Sequence, residues 1–129
     1  MPKPHAPLRE VLERHPHIRQ ALVFGSVASG RPRPDSDLDV AVEADRPLDA
    51  RAKAGLIEAL AAASGRPVDL IDLKTASGPL LGQILRHGHR ILGSESDHAE
   101  LLRRYLFDVE DFQPYVQRML RERRQAWIG

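Results

Sequence analysis

The sequence contains no cysteine, and its net charge is only +1. Without thiols the chain has neither disulfides nor thiolate metal sites, and this composition fits a reducing compartment. The 19 basic residues nearly balance the 18 acidic ones. We therefore expect no nucleic-acid binding of the kind that bulk positive charge drives.

Long apolar runs are also missing. No stretch approaches the ~18 apolar residues that a membrane-spanning helix needs. The segment from Met1 to Pro7 carries Lys3 but has no apolar stretch behind it. We therefore expect no signal peptide, no membrane association and a cytoplasmic location. With 129 residues, the chain is expected to form one domain that buries a real core.

Apolar periodicity and turn residues predict alternating helices and strands. The expected fold is α/β (α+β), with a small mixed sheet flanked by helices. Residues 1–93 would form the core and residues 94–129 a C-terminal helical arm, whose start Asp97 and Glu100 would cap. The predicted elements are helix 7–15, strands 18–24 and 37–42, helix 49–64, strand 67–73, a helix between Pro79 and Gly88, and strand 89–92. Asp49 would cap helix 49–64, and Gly65 would end it.

Two carboxylates mark the start of the second predicted strand. Asp37 and Asp39 are two residues apart, so their side chains leave the same face of a strand. At ~4 Å separation two such charges would repel by ~4 kcal/mol at an effective dielectric constant of 20. A divalent cation relieves that repulsion, and oxygen ligands favour magnesium or manganese over zinc.

A second motif, Gly25-Ser26, directly follows the first predicted strand. Glycine lets the backbone approach a phosphate closely, and Ser26 adds a hydroxyl donor. Alone, Gly-Ser usually forms a turn, and Asp-x-Asp at a strand start usually caps a turn or lies on a solvent-exposed face. Together, with ten residues between Ser26 and Asp37, they indicate nucleotidyl or phosphoryl transfer.

These motifs resemble the DNA polymerase β-like nucleotidyltransferase superfamily, whose signature is Gly-Ser, about ten residues, then Asp-x-Asp. The similarity is greatest to the minimal nucleotidyltransferase (MNT) family, the MntA-like antitoxins of HEPN/MNT toxin–antitoxin modules. It rests on Phe24-Gly25-Ser26-Val27-Ala28, Gly30, Pro34-Asp35-Ser36-Asp37-Leu38-Asp39-Val40 and Pro67-Val68-Asp69-Leu70-Ile71-Asp72-Leu73. The resemblance implies the polymerase β-like fold, with residues 1–93 as the nucleotidyltransferase core.

The resemblance also implies a third carboxylate on a neighbouring strand, where the sequence offers Asp69 and Asp72. These residues face opposite sides of a regular strand because they are three positions apart. Asp69 lies within an apolar run, where a carboxylate needs a partner such as a metal. Asp72 is nearer the strand end and could be a cap, so we choose Asp69 as catalytic and metal-binding residue beside Asp37 and Asp39.

The implied activity is transfer of AMP from ATP to a tyrosine of a partner HEPN ribonuclease toxin, in a hetero-oligomer. The implied cofactor is a two-ion Mg²⁺ site, with Mn²⁺ as the alternative. Gly25, Ser26, Ser36 and Arg31 would bind the nucleotide phosphates. Family members often carry Arg where this chain has Ser29. The loss of that positive charge would weaken ATP binding unless Arg31 or Arg33 compensates.

Two alternatives remain open. The chain could neutralise the toxin by binding alone, or it could modify a small molecule such as an antibiotic, against which its short length argues. An apolar stripe from Leu101 to Leu120 would form either a protein interface or a layer over the sheet.

Overall fold

The computed structural model describes residues 5–25, 37–108 and 121. These residues form one mixed sheet with helices on both faces, as the sequence predicts. The strands are β1 (Ile18–Phe24), β2 (Leu38–Ala44), β3 (Val68–Asp72) and β4 (His89–Leu92). The helices are α1 (Ala6–Glu13), α2 (Ala50–Ser64), α3 (Gly78–His87) and α4, which includes residues 95–108.

The strand order in the sheet is β3-β2-β1-β4. Strand β1 pairs antiparallel with both β2 and β4, whereas β2 and β3 are parallel and are connected through α2. Consequently β1 ends at the same end of the sheet at which β2 and β3 begin. We call this the site end, because the last residues of β1, Gly25 and the first residues of two neighbouring strands lie there.

Alternation along the strands divides the core into two layers. Along β2, Val40 and Val42 belong to the layer beneath α1 and α2, and Ala41 belongs to the layer beneath α3 and α4. The helices bury Leu8, Leu12, Leu56 and Leu60 on the first face, and Leu81, Ile84 and Leu101 on the second. The candidate catalytic residue Asp39 shares the α3/α4 face, since it lies two positions before Ala41.

Local signals predict the boundaries of α2 correctly. The Asp49 carboxylate accepts a hydrogen bond of 2.7 Å from the Ala52 N–H, and Gly65 ends the helix with φ +71°. The predicted cap of the C-terminal helix is wrong. Ser94 caps this helix instead. Its hydroxyl accepts a hydrogen bond from the Asp97 N–H at 3.1 Å, and the Asp97 carboxylate accepts one from the Ser94 N–H at 3.1 Å.

Helix α4 is fastened to the sheet by apolar and polar contacts. Leu101 is buried against the sheet and Tyr105 packs beside it. Arg104 donates to Glu43 on β2 at 3.3 Å and also to the Leu73 carbonyl oxygen. The first part of the apolar stripe therefore covers the sheet, although Leu102 and Leu106 on the same helix remain exposed.

The rest of the stripe, from residue 109 to 120, lies outside the described residues, and the division at residue 93 stays a prediction. Among the helices in the described ranges, none is long and apolar enough to cross a membrane.

Candidate active site

The register of the sheet brings two of the three candidate carboxylates side by side. Asp39 is the partner of Asp69 in the parallel β2–β3 pair, and it is also the partner of Phe24 in the antiparallel β1–β2 pair. Side chains of paired residues leave the same face of a sheet and are near neighbours. Asp39 and Asp69 therefore project together on the α3/α4 face, at the site end.

Asp37 lies immediately before β2 and is exposed, as is Asp69, whereas Asp39 is partly buried. Burial raises the pKa of Asp39 above its ordinary value, and the negative charges of Asp69 and Asp37 raise it further. Burial penalises the ionised form by desolvation, and neighbouring like charges penalise it by repulsion. The site thus concentrates negative charge that a cation would stabilise.

Gly25 directly follows β1 and lies against the Asp39 side chain. Its φ is +76°, which side-chain-bearing residues seldom adopt. A Cβ atom on Gly25 would lie 3.1 Å from Cγ of Asp39 and closer still to its Oδ2. The backbone after β1 and the Asp39 carboxylate are therefore in direct contact, so this position requires glycine for both its conformation and its lack of a side chain.

Asp72 has a different environment. Its Oδ2 accepts the Leu48 N–H at 2.8 Å and its Oδ1 accepts the Lys74 N–H at 2.9 Å. It also lies three residues from Asp69, on the other face of β3. Asp72 therefore joins the segment before α2 to the turn after β3. Sequence reasoning missed the contact with Leu48, since no local pattern relates two separate loops.

Ser26, Ser36 and Arg31, together with Ser29 and Arg33, lie outside the described residues. Their predicted contacts with a nucleotide stay predictions. The part of the site that the structure describes consists of Gly25, Asp37, Asp39 and Asp69.

These carboxylates fit a hard divalent cation that takes its other ligands from the nucleotide substrate. Within residues 5–25, 37–108 and 121, no group of three or more His, Asp or Glu side chains is arranged to hold a metal ion by itself. Magnesium in phosphoryl-transfer sites typically takes one or two carboxylates and completes its octahedron with water and substrate phosphates. The pairing of Asp39 with Asp69, together with the raised pKa of Asp39, fits such a partial ligand set.

Comparison with known proteins places this site in a family. The family model described as polymerase beta, nucleotidyltransferase matches residues 7–97, which include all four described site residues. The chain is 34% identical over 113 residues to the protein adenylyltransferase MntA of Shewanella oneidensis, covering 88% of this chain and 76% of that protein.

Solved structures show the same relationship. A toxin–antitoxin structure with AMP-PNP matches with a TM-score of 0.80 at 27% identity, covering 93% of this chain and 98% of that one. A complex of a tri-AMPylated Shewanella oneidensis HEPN toxin with an MNT antitoxin matches with a TM-score of 0.69 at 26% identity, covering 90% of this chain and 94% of that one. The predicted polymerase β-like fold is confirmed. The chain belongs to the polymerase β nucleotidyltransferase family, in its minimal nucleotidyltransferase branch, and is a nucleotidyltransferase.

Proposed function

We propose that this chain transfers AMP from ATP to a tyrosine hydroxyl of a partner HEPN ribonuclease toxin, and thereby acts as its antitoxin. The observation that carries the proposal is the pairing of Asp39 with Asp69 beside Gly25, at the end of the sheet where three strands meet. We expect the triphosphate and its cations to bind beside Gly25, next to this cluster of carboxylates.

The relatives support the choice of nucleotide and acceptor. The Shewanella oneidensis relative is a protein adenylyltransferase, one matching toxin–antitoxin structure contains the ATP analogue AMP-PNP, and another contains a tri-AMPylated HEPN toxin. This chain spans nearly the full length of both structural matches. It is therefore expected to work as they do, in a hetero-oligomer with the toxin it modifies.

In the proposed reaction, the acceptor oxygen attacks the α-phosphorus of ATP, the bond from that phosphorus to the β-phosphate bridging oxygen breaks, and pyrophosphate leaves. Asp37, Asp39 and Asp69 would hold two Mg²⁺ ions, with Mn²⁺ as the alternative and Asp69 on the acceptor side, and these ions would supply charge neutralisation of the triphosphate. Asp69 would orient the acceptor hydroxyl and take its proton. Gly25, Ser26, Ser36 and Arg31 would hold the phosphates.

The test is a reaction of the purified chain with the HEPN protein encoded beside it, in the presence of ATP and Mg²⁺. Intact-mass spectrometry should show additions of AMP on the partner, and peptide mapping should place them on tyrosine. The Asp39→Asn variant is the matched control and should add none. Transfer that survives in this variant, or AMP found on a residue other than tyrosine, contradicts the proposal.

One observation also fits a second function, neutralisation by binding alone. The described part of α4 exposes Leu102, Leu106 and Phe107, whose exposed fractions are 41%, 51% and 53%. Apolar side chains exposed on a helix are a common feature of protein-binding surfaces. A stable complex that suppresses the toxin without any added mass would favour this reading. AMP on an added aminoglycoside, with the partner unmodified, would instead indicate a small-molecule transferase.

A further inference from the structure

Two histidine rings meet at the end of the sheet opposite the active site, in the turn between α1 and β1. His15 and His17 flank Pro16, and their ring centroids are 5.9 Å apart with an angle of 76° between the planes. His15 is half-buried and His17 is exposed. The seven residues of β1 separate this turn from Gly25, so the two rings lie outside the site already described.

The backbone holds both histidines in place. The His15 carbonyl oxygen accepts a hydrogen bond of 2.9 Å from the Ile18 N–H, and the His17 carbonyl oxygen accepts one of 2.9 Å from the Asp45 N–H. The turn is thereby fixed to the start of β1 and to the end of β2. Little backbone entropy remains to be lost if the two rings bind a common ligand.

The hydrogen bond of the His15 ring prepares it as a ligand. Its Nδ1 lies 2.9 Å from the Val11 carbonyl oxygen. A carbonyl oxygen can only accept, so Nδ1 carries the proton, and Nε2 of the neutral ring keeps a free lone pair. The same device, a ring N–H bonded to a carbonyl, orients metal-binding histidines in general.

The ring separation is close to what one metal ion requires. With Zn–N bonds of ~2.0–2.1 Å, two imidazoles on a tetrahedral ion have centroids separated by roughly 5 Å. The exposed His17 side chain can close the remaining distance by rotating about its own bonds. No third His, Asp or Glu completes a protein ligand set in the described part of the chain, so water would fill the other positions.

The geometry points to a two-histidine chelate, formed by His15 and His17, for a divalent ion of nickel, copper or zinc. Imidazole nitrogen suits these ions and not magnesium, so the site would not compete with the carboxylates for the catalytic cation. The inference is independent of the proposed transfer reaction.

The test uses the untagged full-length chain and Zn²⁺ or Ni²⁺ alone. Isothermal titration should give one Zn²⁺ site, and immobilised Ni²⁺ should retain the protein. The His17→Ala variant should bind about 10²-fold more weakly, because one ligand of a chelating pair is lost. His17 is exposed, so its replacement should leave the fold intact, which circular dichroism checks.

The control is the double variant His87→Ala/His89→Ala, which removes the other His-x-His pair of the sequence. It should bind Zn²⁺ with the affinity of the unmodified chain. Nuclear magnetic resonance should show Zn²⁺ shifting the ring signals of His15 and His17. Equal affinity in His17→Ala, loss of binding only in the double variant, or no binding by the unmodified chain would each overturn the inference.

Discussion

The Asp39 carboxylate occupies the space that a Cβ atom on Gly25 would need, since that atom would lie 3.1 Å from Asp39 Cγ and nearer still to Oδ2. Asp39 lies in β2, and Gly25 directly follows Phe24, the last residue of β1 and the antiparallel partner of Asp39. The glycine of the Gly-Ser motif and the second aspartate of the Asp-x-Asp motif are therefore parts of one contact.

Replacing Gly25 by alanine should reduce transfer strongly, because the new methyl group would displace Asp39. The backbone strain of an L-residue at this positive φ adds roughly 1–2 kcal/mol of destabilisation. We expect kcat/KM to fall by about 10²-fold or more, equivalent to ~3 kcal/mol of transition-state stabilisation. Steady-state kinetics and thermal unfolding measure the two effects.

Gly65 provides the matched control for that variant. It too has a positive φ, +71°, but a Cβ there meets nothing within 4 Å. Gly65→Ala should therefore lose a similar 1–2 kcal/mol of stability and keep its kcat/KM. Equal losses of activity in both variants would show that strain alone, and not the contact with Asp39, explains the effect.

The Asp39→Asn variant should abolish transfer while it stabilises the ligand-free protein at neutral pH. The folded-state pKa of Asp39 is raised, by burial first and then by Asp69 and Asp37. Its ionised form therefore opposes folding above that pKa, and this effect disappears as pH falls towards 3.8, the ordinary pKa of an aspartate. The gain in Tm over the unmodified chain should shrink over the same interval.

Magnesium with ATP should reverse this order of stability. Ligands that bind only the folded state raise its Tm, so the unmodified chain should gain stability that Asp39→Asn does not. Differential scanning fluorimetry at pH 7, with and without both ligands, is the measurement. A variant that is less stable than the unmodified chain without ligands would contradict the electrostatic account.

The pair Asp69→Asn and Asp72→Asn should separate catalysis from stability. Asp69 is exposed and lies beside Asp39, so its replacement should lower kcat by about 10²-fold or more with little change in unfolding free energy. Asp72 accepts two backbone N–H groups, so its replacement should destabilise the fold by about 1–3 kcal/mol. Denaturant unfolding, and steady-state kinetics at denaturant concentrations below the unfolding transition, distinguish the two variants. Lost activity in Asp72→Asn and lost stability in Asp69→Asn would exchange the two assignments.

The contacts of Arg104 predict a role in holding α4 on the sheet. It donates to Glu43 and to the Leu73 carbonyl oxygen, and Glu43 also accepts from the buried Gln20 at 3.1 Å. Arg104→Ala should destabilise the protein by about 1–3 kcal/mol. Arg103→Ala, on the same helix, removes an exposed pair with Glu100 and a contact with the Phe107 ring, whose centroid lies 5.3 Å from the guanidinium carbon. It should change stability by less than ~1 kcal/mol. Chemical denaturation of both variants tests the difference.

The exposed apolar residues of α4 give a prediction about the proposed partner. Leu102→Glu/Leu106→Glu should weaken binding of the HEPN protein by about 30-fold or more, the effect of losing an interface hot spot of ~2 kcal/mol. Ala99→Glu adds a charge at another exposed position of the same helix and serves as control. Calorimetry measures the affinity of each protein for the HEPN partner. Equal affinities for the unmodified chain and both variants would place the interface elsewhere.

The sequence predicts the elements that local signals define and fails where distant segments meet. Asp49 and Gly65 are correctly predicted as the ends of α2, because a cap acts within one turn. Ser94 is missed as the cap of α4, since Asp97 carries a similar signal three residues later. The contacts of Asp72 with Leu48 and of Arg104 with Glu43 depend on tertiary packing, for which one sequence holds no pattern.

The candidate site shows the same limit. The spacing of Asp37 and Asp39 predicts one shared face, but spacing does not give the register that puts Asp69 next to Asp39. That register follows from the parallel pairing of β2 and β3, in which Leu38 is aligned with Val68. The expectation that Asp69 is buried is wrong, because Asp69 is exposed and Asp72 is partly buried. The choice of Asp69 is supported instead by its pairing with Asp39.

The parallel pairing of β2 with β3 also has a consequence for the order of assembly. Gly25 and Asp39 meet through neighbouring antiparallel strands, whereas Asp69 joins them only after α2 has formed the crossover between β2 and β3. Such non-local pairings require closure of a long loop and form late in folding. A nascent chain would therefore emerge with the glycine and the first two carboxylates already synthesised, yet remain inactive until β3 has left the ribosome and docked.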